Sequence, residues 1–127
     1  MSKALSDMAR IGQMVLDGDL AELREVSERI DALRARVREL DAQLSARART
    51  AAQGLEEDLA LLNGRDEAWA DWVSAQKAEV RRQLAGLMAE REDKLAQAKQ
   101  SFGRAQAIDA LQYRAREARL IKLSRQG

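Results

Sequence analysis

Leu16, Leu23, Ile30, Val37, Leu44 and Ala51 stand seven residues apart, and Val26, Leu33 and Leu40 keep the same interval, each three residues behind a member of the first series. Apolar positions that alternate spacings of three and four trace one stripe along a helix, which is the seam of a coiled coil. Such a helix has to bury that stripe against another helix. Nothing in the chain opposes long helices. Its 127 residues include no proline, the residue that removes a backbone donor and clashes with the preceding turn. Alanine, leucine, glutamate, arginine and glutamine, all good helix formers, are abundant. Aromatic residues are 3% of the chain, too few for a globular core that draws its buried area from large rings.

At Arg47 the second series lapses. The apolar positions then run from Leu44 through Ala48 and Ala51 to Leu55, an eleven-residue step that locally unwinds a supercoil. Asn63-Gly64 is the central break that the sequence offers, since both residues tolerate the left-handed conformation that ends a helix. Asp66 follows as a candidate N-cap. A second periodic segment includes Trp69, Val73, Val80, Leu84, Leu87, Met88, Leu95, Ala98, Phe102, Ala105, Ile108 and Leu111. The expectation is an all-α fold forming one domain over 1–127. Its two long helices, about 3–62 and about 66–123 with a turn at 63–65, make an antiparallel coiled-coil hairpin. Arms of about 60 residues at 1.5 Å rise would give a rod of roughly 90 Å.

A turn at 63–64 implies that facing residues have numbers summing to about 128. That register pairs Leu59 with Trp69, Leu40 with Met88, Val26 with Phe102 and Leu20 with Ile108, among others. The charges agree with antiparallel arms. Residues 1–31 carry four basic and seven acidic side chains, and residues 97–127 seven basic and two acidic. Individual surface ion pairs are weak, but opposite balances on facing arms favour a hairpin over a parallel dimer.

Catalytic chemistry has few carriers here. The chain contains no histidine and no cysteine, so the usual nucleophile–base pairs and transition-metal ligands are absent. Carboxylate groups such as Glu56-Glu57-Asp58 and Glu90, Glu92 and Asp93 read as solvated helix faces. No enzyme activity, cofactor or metal is expected. No signal peptide and no membrane-spanning stretch is visible, so a cytoplasmic protein is the expectation.

Two clusters could bind partners. Near the bend, Trp69, Trp72 and Val73 gather, with Trp72 beside the seam and expected to be partly exposed; an exposed tryptophan often anchors a protein partner. At the other end, the basic C-terminal arm carries Arg104, Arg114, Arg116, Arg119 and Lys122. Acidic residues of the first arm are expected to neutralise much of this charge; an acidic protein partner comes next, and nucleic acid or a membrane surface last.

The tract Leu95–Arg119, LAQAKQSFGRAQAIDALQYRAREAR, resembles the distal arm of the FliJ/YscO family, the small stalk proteins of flagellar and other type III secretion export machines. Phe102, Gly103 and Arg104 carry the match, and the hairpin architecture is similar along most of the chain. The opening stretch, with Asp7, Asp17 and Asp19, is acidic where family members often open basic. The resemblance implies a coiled-coil stalk or export chaperone that binds the hexameric export ATPase and the export gate protein, and so sits in the cytoplasm or peripherally at the inner membrane. The alternative is a generic structural coiled coil forming a homo-oligomer such as a dimer of hairpins, and behind it a nucleic-acid or membrane-surface binder.

Overall fold

The computed structural model describes residues 2–53 and 59–126. Two helices account for all of them, α1 over Ser2–Gln53 and α2 over Leu59–Gln126. They pack against each other as an all-α helical hairpin. The chain divides into two compact units, one comprising Met1–Val26 with Glu90–Gly127 and the other Ser27–Ala89.

In the first unit the core is Leu16, Val26 and Ala98, all buried. Ser101 is buried beside them, and its hydroxyl donates to Asp19 Oδ2. A buried hydroxyl without a partner is costly, so this contact is what allows a serine in the seam. Lys94 Nζ reaches Glu22 at 3.0 Å. Its side chain is mostly buried, with the apolar stem against the helices and the ammonium turned to the carboxylate. Gly12 is a point of close approach. A Cβ there would stand 3.2 Å from Cδ1 of Ile108, whereas Gly18, Gly64, Gly86 and Gly103 face open space.

In the second unit Ile30, Leu40 and Val73 are fully buried and Val80 nearly so. Lys77 Nζ pairs with Asp41 at 2.5 Å, its stem likewise packed down. In both units the contacts run antiparallel: numbers rise on α1 as they fall on α2.

The heptad reading of α1 holds. Of its seam residues from Leu16 to Leu44, none is exposed. The position of the turn does not hold. Asn63, Gly64 and Asp66 all lie inside α2, which begins at Leu59, and Gly64 has no left-handed backbone angle. Asp66 is therefore no N-cap; its carboxylate receives Arg47 of α1 instead. The described part of α1 ends at Gln53 and α2 begins at Leu59, and Gly54, Leu55 and the Glu56-Glu57-Asp58 carboxylates lie outside the described residues.

Moving the connection shifts the pairing. Contacting residues have numbers summing to 113–120, not 128: Arg47 with Asp66, Asp41 with Lys77, Glu22 with Lys94, Asp19 with Ser101 and Gly12 beside Ile108. Several expected pairs fall apart accordingly. Leu59 and Trp69 lie on one helix. Val26 and Leu40 are buried, but Phe102 and Met88 are exposed. Ile108 meets Gly12, and Leu20 is exposed.

Candidate functional site

The tryptophan cluster belongs to the second unit. Trp69 stands ten residues after the start of α2, about 15 Å along its axis, so the cluster is not at the bend. One side chain of α1 organises it. Arg47 donates from Nε to Asp66 Oδ1 at 2.8 Å, and its Nη2 lies 2.8 Å from the same oxygen in the ion pair. Its guanidinium carbon lies 5.0 Å from the centroid of the Trp69 ring. Asp66 and Trp69 are three residues apart and share a helix face, so one planar cation reaches both, by charge and by stacking. This also explains the lapse in the heptad series: the seam gives way at Arg47 to a cation that α2 meets with an aromatic ring and a carboxylate.

Of the three residues singled out there, only Trp72 offers a free surface. It is 49% exposed, as its place beside the seam predicts. Trp69 is half-buried under Arg47. Val73 is fully buried and therefore holds the unit together; a partner cannot touch it. Arg47 was legible only as a heptad irregularity, and its pairing depends on a register that the sequence misplaces.

The basic arm belongs to the first unit. Arg104, Arg114, Arg116, Arg119 and Lys122 are all exposed, and Arg125 with them. Among the described residues none of these six has an ion-pair partner, and four of the carboxylates expected to neutralise them make other contacts. Asp7 pairs with Arg10 at 3.4 Å, Asp17 accepts from Gln13 at 2.9 Å, Asp19 holds Ser101 and Glu22 holds Lys94. The Lys94 ammonium is raised above the ordinary lysine range, first by its hydrogen bond to Glu22 and then by the charge of that carboxylate. Leu5 of α1 lies over a shallow open groove shared with Gln112, Ala115, Arg116 and Arg119. From Tyr113 to Gln126 every residue of α2 is exposed.

Apolar exposure is likewise concentrated in the first unit. Met8, Ile11, Met14 and Val15 on α1 and Tyr113, Leu120, Ile121 and Leu123 on α2 are all close to half exposed or more. Neither helix is long and apolar enough over its described residues to cross a membrane. Among the described residues no group of His, Cys, Asp or Glu could hold a metal ion. No protein-family model, curated protein or solved structure matches the chain.

Proposed function

We propose that this protein is a non-enzymatic coiled-coil stalk or coupling protein of a type III export apparatus, flagellar or virulence-type, with contacts to the hexameric export ATPase and the export gate protein. The observation that carries this reading is a helical hairpin whose basic arm makes no ion pair from Arg104 to Arg125 among the described residues. Charges left unpaired by the fold are available to a partner, and such charges govern the rate and specificity of association. Trp72 supplies a second, apolar anchor in the other unit. The likeness of Leu95–Arg119 to the FliJ/YscO distal arm supplies the partners' identity, and the lack of histidine and cysteine suits a protein that works by binding. On this reading the protein acts in the cytoplasm at the inner-membrane face.

The test is capture of the export ATPase by the purified chain, together with stimulation of ATP hydrolysis. No interaction with either export component at micromolar concentration would remove the proposal. A second reading, a dimer of hairpins, draws on Met8, Ile11 and Val15, which are exposed on α1 at heptad intervals. Sedimentation separates the two, since a monomer runs at the 14.2 kDa of the chain and the dimer at twice that.

A further inference from the structure

The end of α2 combines two properties that a hairpin arm does not need. Between Tyr113 and Gln126 it carries Arg114, Arg116, Arg119, Lys122 and Arg125 against a single acid, Glu117, and none of the five cations is ion-paired among the described residues. The same segment exposes Tyr113, Leu120, Ile121 and Leu123 by 53–65%. At 100° per residue these four side chains occupy one half of the helix circumference. Arg114, Arg119, Lys122 and Arg125 occupy the other, with Arg116, Glu117 and Ser124 standing among the apolar group. The groove under Leu5 uses Gln112, Ala115, Arg116 and Arg119 and so borders the apolar half at Arg116, while Tyr113, Leu120, Ile121 and Leu123 remain exposed.

We propose that Tyr113–Gln126 of α2 adsorbs in the plane of an anionic lipid surface, with its cations at the headgroups and Leu120, Ile121 and Leu123 at the acyl boundary. Charge complementarity gives the sign of the partner. The breadth of the apolar half gives its shape. Tyr113, Leu120 and Leu123 keep intervals of seven and three, but Ile121 widens the face to about 160° of the circumference, where a helix seated in a protein groove presents a narrower stripe. A broad apolar half opposite a cationic one is the pattern of an interfacial helix. Nucleic acid would use the cations but leave the apolar side chains in water. The contact is a surface one, since no described helix could span a bilayer. The inference does not depend on the export reading.

The experiment is co-sedimentation of the full chain with vesicles of phosphatidylcholine alone or with about one third phosphatidylglycerol, at low and high salt. The expected result is binding to the anionic vesicles at least about tenfold above the neutral ones, weakening as salt screens the charges. The triple change Arg119→Gln, Lys122→Gln, Arg125→Gln should lower it by about a hundredfold at low salt, since each cation near the surface contributes separately. Leu120→Gln with Ile121→Gln should weaken binding to the same vesicles while every cation remains. All these side chains are exposed, so helicity by circular dichroism should stay unchanged. Equal binding to neutral and anionic vesicles overturns the proposal, as does anionic binding that survives the triple change. So does a triple variant that loses affinity for polyglutamate or DNA yet keeps its affinity for the vesicles.

Discussion

Gly64 separates two hairpins that the sequence cannot tell apart. If it closes the turn in a left-handed conformation, a side chain there is strained, and alanine costs about 1–2 kcal/mol. In the structure Gly64 is the sixth residue of α2, exposed, with nothing within 4 Å of the position a Cβ would take. Alanine then brings no clash and removes the backbone entropy that glycine loses in a helix, a gain of about 0.5–1 kcal/mol. The sign of the change decides, so modest accuracy suffices. Urea unfolding of wild type and Gly64→Ala, followed at 222 nm, should show the midpoint rising with unchanged slope. Thermal unfolding should shift upward by a few degrees, about what 0.5–1 kcal/mol gives in a chain of this size. A variant destabilised by 1 kcal/mol or more would refute the helical assignment of Asn63 and Gly64 and restore the expected turn.

Leu40→Ala should cost about 2–4 kcal/mol, because Leu40 is fully buried. Met88→Ala should cost well under half of that, because Met88 is 40% exposed; equal losses in denaturant unfolding would favour the register that pairs them. Arg47→Gln removes the charge reaching Asp66 and the cation over Trp69. It should destabilise the second unit by about 0.5–1.5 kcal/mol and change tryptophan emission, and an unchanged spectrum would count against the stacking. Lys94 holds its proton more tightly when folded, through Glu22. Its stabilising contribution is therefore complete at neutral pH and is lost as the pH rises through its raised value. The alkaline loss of thermal stability should be smaller in Lys94→Met, and identical alkaline limbs would contradict the pairing.

The α1 seam was legible because large aliphatic side chains occupy it at unbroken intervals, from Leu16 through Ile30 and Leu40. On α2 the eye is drawn to Met88, Phe102 and Leu111, all of which are exposed. Val73, Val80 and Ala98 of the same series are buried, but they share the face with Ser101 and the half-buried Lys94, polar residues whose groups are satisfied by Asp19 and Glu22. Hydropathy cannot find such positions, since they are buried on condition of a partner. The misplaced turn has a related cause. Eleven residues make just over three full turns, so sliding one arm by about that much returns similar faces to the seam. Apolar pairs form in either alignment. The tryptophans were legible as a cluster, but that Trp69 is clasped and Val73 buried depends on the true pairing with Arg47. The cations of the arm were visible as charge; that the described acids of α1 do not pair with them was not.

If hydrophobic matching is nearly blind to such a slide, discrimination has to come from polar side chains, and their arrangement does discriminate. In the alignment where numbers sum to 128, Asp19 would lie opposite Asp109 and Arg47 opposite Arg81. Like would confront like, and the Ser101 hydroxyl would lose its acceptor. In the actual alignment Asp19 clasps Ser101 and Arg47 clasps Asp66. A few charged groups, each contributing little stability, thus act as keys that fit one notch and jam in its neighbour.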